Sequence, residues 1–261
     1  MGRGLRLMNE ISTVQVLLSL IFVAGALYFS NLFKVKMGKD IVIAAVRAFV
    51  QLLAIGYVLT IIFDLDSPIT IILMMVVMAG AASYNAGKRG AKVRNSYRIS
   101  SIAIFATTLI TILVLAGFGI IPFKAQYIIP VSGMVIGNVM NAASLALMRL
   151  DDELKANRIK VEAALSLGAS PIQAASPALK KSVTTAMIPV VDRAKVVGLV
   201  SLPGGMSGMI LAGASPLSAV KFQIVIMYML LGSPFLTVAI VNLLAYRQYF
   251  NQQRQLLIDL D

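Results

Sequence analysis

The polar side chains that could bind a solute lie inside long apolar runs of this chain. Asn138, Asn141 and Ser144 follow one another at three-residue steps in one run, and Arg47 and Gln51 are one turn apart in another. Amide and guanidinium groups at membrane depth need water, a partner or a ligand, because lipid offers no hydrogen bonds. These residues are therefore the candidate substrate path. Two alternatives stay open: the asparagines could serve only to join helices, and Arg47 could extend to the lipid headgroups.

The common catalytic and metal-binding groups are missing from the sequence. The 261 residues include neither Cys nor His, which excludes thiolate nucleophiles, Ser-His triads and the usual zinc sites. We therefore expect a protein that is not an enzyme and that binds no cofactor itself, with any metal ligands unknown. Thioethers suit soft metals better than iron, and we interpret most of the 14 methionines as packing residues.

The composition indicates that most of the chain lies in lipid. It is 59% hydrophobic and 13% charged, with a mean hydropathy of +0.87, whereas soluble domains are about half apolar and about a quarter charged. The net charge of +12 arises from Lys and Arg in short loops beside apolar runs. This placement indicates that the basic residues set the membrane topology and contact lipid headgroups, and that they do not bind nucleic acid. We expect an all-α polytopic membrane protein with a single permease domain over residues 1–261.

About seven apolar runs approach the length of roughly 20 residues that crosses a bilayer. They are residues 12–33, 41–63, 68–84, 99–118, 127–148, 196–214 and 222–246. The sixth run contains Leu202-Pro203-Gly204-Gly205, which predicts a broken helix. Ser-Pro pairs at Ser67, Ser170, Ser176 and Ser215 are predicted to begin helices, and the pair at Ser233 to kink the last run.

The basic loops predict the orientation in the cell (inner) membrane. Residues 85–98 contain five Lys or Arg residues, whereas the loop near Asp64 has none and the loop near Phe123 has only Lys124. Because basic loops stay in the cytosol, we expect the 85–98 loop, the segment 149–195 and the C-terminus inside. The N-terminus is then outside, and its apolar run is interpreted as a retained span rather than a signal peptide.

Small residues at four-residue spacing predict close contacts between helices. They are Gly133 and Gly137, Gly204 and Gly208, and the set Ala79, Ser83 and Gly87. We expect these positions to be packing surfaces rather than ligand contacts.

The cytosolic segment predicts a short helix and a sharp turn. Asp152 suits the N-terminal end of a helix that runs to Gly168, and Arg158 can pair with Glu162 one turn later. Gly168, followed by a Ser-Pro pair, predicts a stop and a change of direction. The simpler interpretation is a solvated amphipathic helix that touches only headgroups.

The residues Glu162-Ala163-Ala164-Leu165-Ser166-Leu167-Gly168 resemble the cytoplasmic signature of permease subunits of ATP-binding-cassette transporters. That signature is Glu-Ala-Ala, three residues, then Gly, and the resemblance implies a coupling helix that docks on a separate ATPase subunit. The coupling residues would be Val161, Glu162, Ala163, Ala164, Leu165 and Gly168, with Val161, Ala164 and Leu165 buried against the ATPase. The Leu-Pro pair that usually follows is missing at that spacing. Gly87-Lys88 does not complete a P-loop, so ATP would bind only the partner.

Three longer runs occur in a characteristic order. They are MVIGNVMNAASLAL (134–147), EAALSLGAS (162–170) and VVGLVSLPGGMSGMILAGASPLSAV (196–220). Together they resemble the FetB permeases, a family that includes plant aluminium-sensitivity membrane proteins. The resemblance implies a homodimeric permease that exports iron with an ATPase subunit called FetA. Because a bare iron ion usually requires carboxylates or imidazoles, the residues themselves favour carbonyl and amide ligands or a complexed metal. A secondary transporter or channel for a small solute is the alternative function.

Overall fold

The computed structural model describes residues 12–257, and regular structure within that range is helical. The helices are α1 (Thr13–Leu18), α2 (Leu20–Leu32), α3 (Gly38–Leu65), α4 (Pro68–Arg89), α5 (Ser96–Gly117), α6 (Ala125–Ala156), α7 (Arg158–Ser166), α8 (Pro171–Val196), α9 (Gly204–Leu211) and α10 (Pro216–Ala245), followed by a 3₁₀ turn at Tyr246–Tyr249. Extended pairing in this range is limited to isolated bridges. The predicted all-α fold is confirmed.

Six helical segments of the described chain are long and apolar enough to cross a membrane. They are Val14–Leu32, Gly38–Leu65, Pro68–Arg89, Ser96–Gly117, Ala125–Ala156 and Pro216–Tyr249. These segments correspond to six of the predicted apolar runs and support a multi-pass membrane protein. The difference from the prediction lies at residues 196–214.

The chain forms two compact units. In the first, which comprises Met1–Asp66 and Leu211–Gly213, α2 packs on α3. No residue of α3 is buried. In the second, which comprises Ser67–Ile210 and Ala214–Asp261, α6 lies at the centre and contacts α4, α5, α8 and α10. Over half of the most apolar window of α6 is buried, 56%.

Ser-Pro pairs begin three of these helices. α4, α8 and α10 start at Pro68, Pro171 and Pro216, where the missing N–H of proline costs nothing. At α8 the Gln173 side chain also accepts a hydrogen bond from Ser170 N–H, 2.8 Å away. The prediction for Ser176-Pro177 is wrong. Pro177 lies inside α8 because the helix has already begun, and packing outweighs the one backbone hydrogen bond that this proline removes.

Hydrogen bonds bring several helix ends of the second unit close together. Asn95 Nδ2, just before α5, donates to Gln248 Oε1 at 3.0 Å, and Tyr249 Oη donates to Asp151 Oδ1 at 2.8 Å. α6 and α10 therefore end where α5 begins, and α4 ends there too, because only residues 90–95 join it to α5. We call this the basic end, because the Lys and Arg residues of the 85–98 loop lie there.

α8 runs back along α6. Ser182 Oγ donates to the carbonyl of Ala146 at 3.1 Å, and Arg193 Nη1 donates to Asn138 Oδ1 at 3.2 Å, so the two helices are antiparallel. At 1.5 Å per residue, Asn138 lies about 20 Å from the start of α6. The second half of the segment 149–195, which was predicted to be cytosolic, therefore packs along a candidate span.

The sixth predicted run, 196–214, does not form a spanning helix. Residues 197–203 contain a bridge and a turn, with Gly198 at φ +84°, and α9 is only 8 residues long. The predicted break at 202–205 is confirmed, but the prediction of a span within this run alone is wrong. α8 and residues 197–215 together lead from the basic end to the start of α10.

Candidate functional site

The helix that resembles a coupling helix is shorter than predicted, because the chain breaks at Asn157. Asp152 belongs to the end of α6, beside Arg149 at 3.5 Å, so its predicted place at a helix N-terminus is wrong. Asn157 has φ −108° and ψ 17°, and its Nδ2 donates to the Glu153 carbonyl at 2.9 Å. Such side-chain bonds compete with the helical backbone, and α7 starts anew at Arg158.

The predicted stop at Gly168 is confirmed. Gly168 has φ +89°, its N–H donates to the Leu165 carbonyl at 2.9 Å, and the N–H of Ala169 donates to the Ala164 carbonyl at 3.0 Å. These two bonds form a Schellman motif, which needs a left-handed residue and therefore favours glycine. The turn fixes the angle between α7 and α8.

Within residues 158–167 one apolar position is anchored, and two large apolar side chains are highly exposed. Val161 is only 3% exposed, so its side chain packs within the chain. Contrary to the prediction, it is not available to a partner. Ile159 and Leu167 are 83% and 89% exposed. The predicted ion pair forms, with Arg158 Nε 2.7 Å from Glu162 Oε1.

The other predicted coupling residues occupy intermediate positions. Ala164, Leu165 and Glu162 are half-buried and Ala163 is exposed. Sequence reasoning missed Ile159 and Leu167 because it followed the face that contains Val161. The signal for them was available, since both are large apolar residues in a segment predicted to face water.

The C-terminal tail forms the other wall of a groove beside α7. The groove has a volume of about 580 Å³, and Gln253–Leu256 face residues at the end of α7 across it. A bridge between Phe250 and Leu256 shapes the tail. The end of α7 and the tail therefore form one continuous surface.

Asp151 joins this tail to α6. Its carboxylate is 2% exposed; Oδ1 accepts the Tyr249 hydroxyl, and Oδ2 forms an ion pair with Lys155 Nζ at 3.2 Å, without good hydrogen-bond geometry. A buried carboxylate is costly unless it is paired in this way. Asp151 thus holds the C-terminal tail against α6, the helix that precedes α7.

A second site lies between α6, α8 and α10, at the level of Asn138. It is a cavity of about 290 Å³, and its polar lining includes Asn138, Arg193, Ser201 and Gln223. Methionine and other apolar side chains complete the wall. Of the predicted substrate-path residues, Asn138 is the one that the structure places in this cavity.

Asn138 holds Arg193 in place. The Asn138 Nδ2 group donates to the Met134 carbonyl at 2.8 Å, which leaves Oδ1 to accept from Arg193 Nη1. Arg193 Nε donates to the Pro189 carbonyl at 3.3 Å. Sequence reasoning did not single out Arg193, because the contact spans 55 residues. Gln223, a lone amide in the last apolar run, was also overlooked.

The remaining path residues lie elsewhere. Asn141 Oδ1 accepts from Arg89 Nη1 at 3.1 Å, and the buried Ser144 hydroxyl donates to the Met140 carbonyl at 2.8 Å. These bonds fit the alternative in which the polar residues only support helices. Arg47 and Gln51 are exposed on α3, in the first unit.

Close packing occurs at few of the predicted glycines. A Cβ at Gly133 would lie 3.1 Å from Met78 Cε, but one at Gly137, Gly204 or Gly208 would meet nothing within 4 Å. The packing prediction is therefore wrong for the last three within this chain. It holds on α4, where a Cβ at Gly87 would lie 2.7 Å from the backbone of Tyr97.

The comparisons with known proteins identify the family of this chain. The model of an uncharacterised protein family, UPF0014, matches residues 13–250. This chain belongs to the UPF0014 family. No solved structure matches it.

Several UPF0014 relatives match almost the whole chain. The UPF0014 membrane protein YjkA of Bacillus subtilis is 42% identical, over 92% of this chain and 96% of its own length. The protein named probable iron export permease protein FetB of Escherichia coli is 38% identical, over 96% of each chain. The protein ALUMINUM SENSITIVE 3 of Arabidopsis thaliana is 36% identical, over 91% of this chain and 87% of its own. The resemblance to the FetB permeases is confirmed.

Proposed function

We propose that this chain is the membrane subunit of an ATP-binding-cassette exporter of iron or a related metal species. A separate FetA-like ATPase subunit binds ATP and docks on α7. The name of the Escherichia coli relative supports the cargo, and the Glu-Ala-Ala…Gly pattern supports the partner. The chain contains no P-loop, so ATP hydrolysis takes place on the partner.

The exposed side of α7 carries the proposal. Ile159 on α7 and Leu167 just after it are large apolar residues with 83% and 89% exposure, beyond the basic end. Exposed apolar side chains of this kind mark interaction sites. Val161 anchors the helix from inside, and Gly168 fixes its angle to α8, so a push on α7 is transmitted to the helix that carries Arg193.

The proposal includes a topology and an assembly. We count α8 with residues 197–215 as one crossing, which gives seven crossings, an N-terminus outside and a C-terminus in the cytosol. The positive-inside rule supports this orientation, because it puts the basic end in the cytosol. The family resemblance supports a homodimer of the permease in the cell membrane.

Photo-crosslinking from α7 tests the docking proposal. A benzophenone amino acid replaces Leu167 in the full-length protein, which is expressed with a FetA-like ATPase. We expect an adduct of permease and ATPase. The matched control carries the same group at Phe123, an exposed aromatic residue on the loop opposite the basic end, and should give none. Absence of the adduct from Leu167, or equal adducts from both positions, would overturn the proposal.

A further inference from the structure

The cavity between α6, α8 and α10 has the chemistry of an anion site. We propose that it binds the transported metal as an anionic chelate whose outer atoms are carboxylate oxygens, and not as a bare cation. This inference rests on the proposed function for the metal cargo, and on the residues around Arg193 for the charge of the complex.

Arg193 retains free donors that point to an anion. A guanidinium has five N–H groups, and the bonds described occupy one on Nε and one on Nη1. Three N–H groups have no partner within residues 12–257. A guanidinium fork with free N–H groups matches a carboxylate in two-point geometry.

The charge beside the cavity is positive. Asp192 is drawn towards Lys195, 3.5 Å away, and it does not line the cavity, whereas Arg193 does. No group of three or more His, Cys, Asp or Glu residues that could hold a metal ion occurs in the described part of the chain. A cation would therefore meet repulsion and no carboxylate ligands, while an anion would meet the exposed guanidinium of Arg193, which bonds to Asn138 and Pro189 orient.

Gln223 supplies an independent observation. It is 7% exposed, lines the same cavity, and its amide makes no hydrogen bond within residues 12–257. The amide is not sealed off by protein but opens to the cavity, and the space before it is where a ligand oxygen would accept its N–H. A Cβ at Gly205 would approach Gln223 Oε1 to 3.6 Å, so the backbone there leaves little room beyond the amide.

The size of the cavity fits a small chelate. Its 290 Å³ lies at the lower edge of the range of small-molecule sites, about 300–1,000 Å³. An intramembrane arginine is expensive unless it serves a function. Held by Asn138 at mid-span depth, Arg193 would bind the chelate where alternating access requires the solute.

Direct binding to the purified permease tests the inference without the ATPase. Equilibrium dialysis in detergent measures ferric citrate, free citrate and ferrous ion separately. We expect both citrate forms to bind wild type and ferrous ion alone not to bind. R193Q should weaken citrate binding about 10-fold or more, because a charge-assisted hydrogen bond is lost. K221Q removes the same charge near the start of α10, where Lys221 is exposed and outside the cavity lining, and should change binding less than 2-fold.

A second variant protects the test from misfolding. Q223E keeps the shape of the side chain but places a negative charge in the cavity, so it should also abolish citrate binding. If R193Q elutes as an aggregate, citrate binding by Q223E is the result that tests the inference. Failure of wild type to bind either citrate form, or equal binding by Q223E and wild type, would overturn the inference. Loss of ATP coupling would not affect this assay, so the two proposals fail separately.

Discussion

Asp151 shows how one buried residue connects distant parts of this protein. Its carboxylate accepts the Tyr249 hydroxyl and lies beside Lys155, so it ties the C-terminal tail to the end of α6. The pair spans 98 residues of sequence. No local pattern predicts such a contact.

Replacing Tyr249 with Phe should destabilise the protein by about 1–3 kcal/mol, because it leaves a buried carboxylate oxygen without its donor. Thermal unfolding in detergent measures the loss. The control is Tyr246→Phe, since Tyr246 makes an edge contact with Phe250 that phenylalanine keeps. Equal melting temperatures for the two variants would show that the Asp151 bond contributes nothing.

Gly87 should not tolerate a methyl group. In Gly87→Ala the new Cβ would lie 2.7 Å from the Tyr97 backbone, and such overpacking costs about 1–3 kcal/mol. Gly80 lies on the same helix with nothing within 4 Å of its Cβ position, so Gly80→Ala should be neutral or slightly stabilising. Unfolding of the two variants side by side checks the difference, and a neutral Gly87→Ala would contradict the packing described here.

At the level of elements, α7 depends on its turn. Gly168→Val should uncouple transport from ATP while membrane insertion stays normal, because a left-handed backbone costs a residue other than glycine about 1–2 kcal/mol and the turn would open. Gly168→Asn should retain more activity, since asparagine tolerates this conformation. ATP-dependent transport by both variants measures the effect. Wild-type transport by Gly168→Val would show that the turn is not needed.

The sequence predicted those elements that depend on local chemistry. Six of the seven long apolar runs became long helices, Pro68, Pro171 and Pro216 began three helices, and Gly168 ended α7. What failed depended on packing between distant residues. α8 is too polar to be recognised as a spanning helix, yet its contacts with α6 place it alongside a candidate span.

The same difference between local and long-range signals applies to the candidate site. Asn138 was predicted because an amide in an apolar run is conspicuous, but its partner Arg193 was not, since 55 residues separate them. α6 ends at Ala156, where Asn157 leaves the helical conformation, and a helical pattern that continues past residue 157 gave no warning of it.

For the whole molecule, the proposed orientation puts the basic end in the cytosol. The chain has no native cysteine, so single cysteines can be labelled without background. An impermeant maleimide should label Phe123→Cys in intact cells and Ser166→Cys only after lysis. The opposite pattern would reverse the topology and remove α7 from the reach of an ATPase.

ATP dependence tests the central claim most directly. The permease and its partner ATPase are reconstituted in liposomes with all ion gradients collapsed, and movement of iron is followed on adding ATP. We predict that ATP drives transport, and that changing both Ile159 and Leu167 to Asp stops it while insertion stays normal. Transport that proceeds without ATP when an ion gradient is imposed, or that the double variant leaves unchanged, would contradict an α7-coupled ATP-driven permease.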